Sequence, residues 1–175
     1  MTIDLGSARS IEAESFGQPG QRTFRLRVMS AALASASLWL EKEHLQALGM
    51  ALTQLLAQLG REPEAEGLAL DEFPEVADYD FHVGRMAIGF DPADQSVVLQ
   101  TFDAATEDDD DPTLMVRVPQ EQCPALNAQL RRIVGAGRPV CPLCGLSIDA
   151  SGHACVRANG HSSQAVPDRG AEEEE

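Results

Sequence analysis

Between Arg22 and Val134 the spacing of the apolar residues changes several times, and the order of those changes limits the folds open to the chain. Phe24, Leu26 and Val28 alternate with Thr23, Arg25 and Arg27, the period of two that a half-buried strand requires, so residues 22–30 are predicted to be a strand. A second strand is expected over 36–41, with Leu38 and Leu40 on one face and Trp39 on the other, placed to form a hairpin with the first. From Glu41 the spacing becomes helical: Leu45, Leu48, Leu52, Leu55, Leu56 and Leu59 make one stripe, and Gly60 follows as a C-terminal cap. Residues 81–90 and 96–102 read as strands joined by the loop Asp91-Pro92-Ala93-Asp94-Gln95, and 113–118 as a fifth. Pro119 then opens a second helix, whose buried stripe is Leu126, Leu130, Ile133 and Val134.

Strand, strand, helix, three strands, helix predicts an α+β fold: two layers, a mostly antiparallel sheet of about five strands with two helices, plus a C-terminal zinc knuckle. Residues 1–20 read as a lead-in segment ending in a turn at Gln18-Pro19-Gly20, and 21–137 as the α+β domain. Residues 138–162 are the knuckle, and 163–175, closing on Glu172 to Glu175, a disordered acidic tail. Residues 61–80 hold Pro63, Gly67, Pro74 and many acids and read as a long connection. No internal repeat is visible in the letters.

Cys141-Pro142-Leu143-Cys144-Gly145 carries the clearest chemistry. A Cys-x-x-Cys-Gly turn sets two thiolates on one side of a tight loop, which is half of a tetrahedral zinc site. The other half must come from downstream, where His153, Cys155 and His161 lie. Cys155 is the expected third ligand, since a thiolate is the strongest donor remaining. The fourth is His161, whose loop is long enough to close, with His153 as the alternative ligand or as a partner that orients one. Asp149 is the sole carboxylate among these residues, so the ion is expected to be structural, not catalytic. Cys123, followed by Pro124 at the start of a helix, reads as a small buried side chain.

Twenty-eight acidic against thirteen basic residues give a net charge of −15, which disfavours nucleic acid and anionic lipid as partners. No apolar run is long enough to cross a bilayer, and Met1 to Gly6 lack a basic leading region, so a cytoplasmic protein is expected. No phosphate-binding glycine loop, nucleophile elbow or His-Glu-x-x-His helix occurs. Glu41, Lys42, Glu43 and His44 stand where a helix begins, and capping explains them. His82 lies on a strand beside Gly84 and Arg85. Arg22, Arg25, Arg27, Arg85 and Arg117 all lie on predicted strands and form a candidate anion-binding set, unless nearby acids pair with them.

Gly20-Gln21-Arg22-Thr23-Phe24, Leu40-Glu41-Lys42-Glu43 and Phe81-His82-Val83-Gly84 resemble a bacterial family, common in actinobacteria, catalogued as domain of unknown function 3090. Gly137 to Gly145, Gly152-His153-Ala154-Cys155 and Asn159-Gly160-His161 carry the more specific part of that resemblance, which covers residues 15–161. Val156 stands where the family usually has proline, a change that leaves the metal donors untouched. The resemblance implies a single unit with a fused metal knuckle and brings no activity with it.

Three functions follow as expectations. The first is a non-enzymatic adaptor or regulatory protein, in which a sheet face and the zinc knuckle bind a protein partner. The second is an enzyme acting on a small anionic metabolite, with the strand arginines binding it and Glu43, His44 or His82 as acid or base. Nucleic-acid binding through the knuckle ranks last, because only Arg138 and Arg157 are basic there and no aromatic side chain is available for stacking.

Overall fold

A computed structural model describes residues 1–18, 20–60, 72–106 and 110–136, together with Leu143, Ile148 and Cys155. The chain divides into two compact units, Met1–Gly137 and Arg138–Glu175. All helices and strands of the described residues lie in the first: β1 (Ile3–Phe16), β2 (Thr23–Ser30), β3 (Ser35–Leu40), α1 (Lys42–Gln58), β4 (Tyr79–Asp91), β5 (Ser96–Asp103), β6 (Leu114–Pro119), a 3-10 turn Gln120–Gln122 and α2 (Cys123–Gly135). Neither helix is long and apolar enough to cross a membrane.

The expected α+β class with a mostly antiparallel sheet and two helices is present, but six strands replace five and they close into a barrel in chain order instead of lying as one of two layers. Within β1–β2–β3 and within β4–β5–β6 neighbours are antiparallel. Two parallel pairings, β3 with β4 and β6 with β1, join these meanders into a ring. Closure pairs away most of the edges that an open sheet of this size would have to protect, leaving the stretches of β1 and β4 beyond Ser7 and His82 with one strand neighbour each among the described residues.

The correction has a local cause. Residues 1–20, expected as a lead-in segment, contain the longest strand of the unit. Its inward side carries the small Ala8 and Ala13 beside Leu5 and Ile11, and Ser10, on the same face as Glu12, is buried as well. Small side chains suit the inner wall of a narrow barrel, and they give a weak hydropathy alternation. Pro119 likewise ends β6 instead of opening the helix, and Pro124 takes the first turn of α2.

The two halves repeat one βββα unit although their letters do not. Ala36 faces Tyr79 across the first parallel pairing, as Leu114 faces Ile3 across the second. Leu26 faces Leu38 as Leu99 faces Val116, and Ala13 faces Leu26 as Ile88 faces Leu99. One irregularity matches as well: β1 shifts register against β2 between Ala8 and Ser10, and β4 against β5 between Val83 and Arg85, whereas a further shift of β1 against β6, between Asp4 and Ser7, has no counterpart. Each bulge hands its strand from one neighbour to the next, so that β1 leaves β6 for β2 and β4 leaves β3 for β5.

The helices correspond as well. Leu45, Leu48 and Leu52 of α1 hold the places of Cys123, Leu126 and Leu130 of α2, all almost wholly buried. The helices pack on each other, α2 also on β1 and α1 also on β4. Their buried faces join the inward side chains of the strands in one continuous apolar cluster. At the start of α1 the Glu41 N–H donates to His44 Nδ1 at 3.2 Å, and at its end Gly60 takes a left-handed φ of 64°.

Two glycines test this packing. A Cβ on Gly49 in mid-helix would meet Leu130 Cβ at 3.8 Å and Asn127 Oδ1 at 3.9 Å, ordinary contacts. Gly49→Ala should therefore stabilise the protein by about 0.5–1 kcal/mol in urea denaturation, since alanine costs less backbone entropy in a helix. A Cβ on Gly84, at the β4 bulge, would stand 3.0 Å from the Ala104 Cα. Gly84→Ala should destabilise by about 1–3 kcal/mol, because the obstacle is main chain.

Candidate functional site

Pairing across β1, β2, β3 and β4 builds two rows of outward side chains. Glu14 pairs with Arg25, Arg25 with Trp39 and Trp39 with His82; beside them run Glu12, Arg27, Ser37 and Asp80. Cross-strand neighbours on one face are within reach of one another, so register alone assembles the surface.

Arg25 reaches Glu14 with Nε at 2.9 Å and a terminal nitrogen at 2.7 Å. Arg27 bridges Glu12 and Glu14, each at 2.8 Å. Arg25 also lies over two aromatic rings, its Cζ 4.9 Å from the Phe16 centroid and 5.2 Å from that of Trp39. Trp39 stacks on His82 at 6.1 Å with 27° between the planes and donates its indole N–H to Asp80 at 2.9 Å. Phe16 closes the row 6.1 Å from Trp39 and remains 42 % exposed. The result is a π-rich surface whose cations are already matched by carboxylates.

Residues 72–78 run alongside it. Phe73 lies under the Arg27 guanidinium at 4.5 Å, and a cavity of about 10 Å³, the size of one water, is bounded by Arg27, Ser37, Phe73 and Pro74. Asp78 ties this segment to β3: its carboxylate accepts the Ser35 N–H and the Ser35 hydroxyl, both at 2.8 Å. These bonds, the main-chain one first, hold the Asp78 carboxyl below its ordinary value against the opposing effect of desolvation. Elsewhere Asp4 is held low by the Gly6 N–H and by Arg117, again against desolvation.

Of the five candidate arginines, Arg25 and Arg27 stand side by side on β2. Arg22 donates to the Ala136 carbonyl at 3.2 Å, Arg85 lies 3.8 Å over the ring of Phe102, and Arg117 pairs with Asp4 at 3.1 Å. His44 is taken up in the cap of α1, and His82 stacks on Trp39. A second cleft, of about 180 Å³, opens between α1 and β4 and is lined by neither histidine nor any of these arginines. The candidate metal ligands Cys141, Cys144, His153 and His161 lie outside the described residues, whereas Cys155 is described and buried. Among the described residues no group of three or more His, Cys, Asp or Glu is placed to hold a metal ion. Cys123, expected to be a small buried side chain, is fully buried, with its Sγ 3.6 Å from the Pro119 carbonyl oxygen.

Sequence reasoning missed Phe16, Glu12 and Glu14, which share an outward face once β1 is known to be a strand. It also missed Phe73, which carries no periodic signal and owes its place to Arg27. A family model described as Protein of unknown function (DUF3090) matches residues 4–155, and the chain belongs to that family. No curated protein and no solved structure matches it.

The Asp78 clamp predicts a pH dependence with a definite sign. A carboxylate whose folded-state pKa is depressed contributes stability above its unfolded value and loses it as pH falls through the folded value. Asp78→Asn should be less stable than wild type at neutral pH, and the gap should begin to close near the ordinary value of 3.8 and vanish only below it. A gap that stays constant down to strongly acidic pH would refute the assignment.

Proposed function

We propose that this member of the family is a non-enzymatic adaptor or regulatory protein that holds a protein partner on the Phe16–Arg25–Trp39–His82 face, with a zinc-bound C-terminal segment as its second module. One observation carries the choice over a small anionic metabolite: Arg25 and Arg27 are already bonded to Glu12 and Glu14. An incoming anion would have to displace those carboxylates. A protein surface would not, because what the face offers is ring area and a guanidinium set over two neighbouring rings. Aromatic residues and arginine dominate the energetics of protein interfaces, and a pre-ordered row costs little entropy on binding.

The zinc part of the proposal rests on ligand chemistry. Cys141, Cys144 and Cys155 supply three thiolates, and His161, or alternatively His153, supplies the fourth donor. A structural ion of that kind would substitute for the apolar core that so polar a segment lacks.

Two experiments separate the parts. Trp39 is the only tryptophan, so its emission reports directly on coverage of the face. Trp39→Ala and Phe16→Ala should each keep the wild-type melting profile within a few degrees and lose proteins cross-linked to wild type in cells, while Met50→Ala, exposed on α1, should keep them. An unchanged cross-linked set in Trp39→Ala would overturn the partner face. Separately, the purified chain should contain about one zinc. Cys141→Ser should lose it together with thermal stability, and whichever of His161→Ala and His153→Ala does the same is the fourth ligand. Equal zinc and stability in all four proteins would remove the metal site.

A further inference from the structure

We infer that the free edge of β4 pairs with β4 of a second copy of the chain, forming a symmetric dimer whose sheet continues across the two-fold axis. The starting point is a difference between the two halves. Among the described residues, beyond its bulge each long strand has one strand neighbour, β2 for β1 and β5 for β4, while β3 reaches β4 only over Tyr79–His82. In the first half α2 closes the other edge: Gln129 Oε1 accepts the Ala13 N–H at 3.0 Å. Ile88 is the counterpart of Ala13, so its N–H and C=O also face away from the neighbouring strand. The counterpart of Gln129 is Ala51, whose methyl group has no acceptor to offer.

The cleft of about 180 Å³ lies at this place, between Ala51, Leu55 and Gln58 of α1 and Ile88, Gly89 and Phe90 of β4. No charged residue lines it, in a chain of net charge −15. Met86, Ile88 and Phe90 remain half-buried there, whereas Ile11 and Ala13, the counterparts of Met86 and Ile88, are buried.

The sequence of the edge selects a second copy as the occupant. In antiparallel self-pairing about Ile88, Ile88 meets its twin, Met86 meets Phe90, Ala87 meets Gly89, and Arg85 meets Asp91. Apolar side chains then face apolar ones, small face small, and the two charges of the segment meet as opposite pairs, twice by symmetry. Residues Met86, Ile88 and Phe90 share the parity whose main chain faces outward, so this register also satisfies the hydrogen-bonding pattern. Arg85 lies over Phe102, and the Asp91 carboxylate accepts the Ala93 N–H at 2.9 Å; both keep their charge on the same strand face.

Sedimentation equilibrium of the full chain over a concentration series tests this. Wild type should be a dimer. Arg85→Asp and Asp91→Arg each turn both symmetric pairs into like-charge pairs and should weaken dimerisation about tenfold or more. The double variant, with the charges exchanged, should recover to within about threefold of wild type. A monomer at every concentration overturns the proposal, as does a dimer indifferent to the single changes or a double variant that fails to recover. Should the variants fold poorly, amide exchange in the wild type gives the same decision: Met86, Ile88 and Phe90 should gain protection with rising protein concentration, and protection independent of concentration overturns the pairing.

Discussion

The two parallel strand pairings, β3 with β4 and β6 with β1, are the contacts on which the rest of this protein depends. Antiparallel meanders form from neighbours in sequence, but a parallel pair of successive strands needs a crossover: α1 and the connection after it carry the chain from β3 to β4, whereas β6 and β1, far apart in the chain, meet only when the barrel closes. Without these pairings the chain would be two three-stranded meanders with exposed edges. With them the inward faces enclose one apolar cluster, and both helices are brought onto it. The bulges mark the handover: β1 and β4 each serve two neighbours in turn, and in both strands the change falls at the bulge, where the strand bends.

Repetition of the βββα unit also explains how one scaffold presents two unlike surfaces. In the first half the strand beyond the bulge is closed by Gln129 and carries Glu12, Glu14 and Phe16 on its outer side. In the second half the matching strand carries Arg85, Ala87 and Gly89 outward and keeps an open flank beside α1. Backbone hydrogen bonding and core packing are common to both. The side chains at the seam between helix and strand differ: Gln129 accepts the Ala13 N–H in one half, and Ala51 in the corresponding place offers no acceptor in the other.

Much of this was legible from periodicity. β2, β3, α1, β5 and β6 fall within a residue or two of their expected places, because alternation and the leucine stripe are local properties of the chain. β1 was not legible: its inward Ala8 and Ala13 fill a narrow barrel wall, and its buried Ser10 sits on the other face, without announcing themselves as apolar. The arginines were visible as residues on strands, while their partners were not, since Glu12 and Glu14 belonged to a segment with no assigned structure. The internal repeat was invisible for a related reason. Register and bulge position are shared between the halves, but a leucine in one is a cysteine in the other, and both satisfy the same buried volume.

By itself, the sequence determined every helix and strand but β1 and where most of them begin and end, along with the acidic charge of −15 and the Cys and His spacing of the C-terminal segment. Each of these is settled by residues close together in the chain. Tertiary structure alone decided that the strands close into a ring, that Glu14, Arg25, Trp39 and His82 become one row, and that β4 beyond its bulge has β5 as its one strand neighbour among the described residues. Those outcomes depend on strand pairing between distant segments, and the energies that select a register are shared among side chains whose neighbours exist only once the barrel has closed.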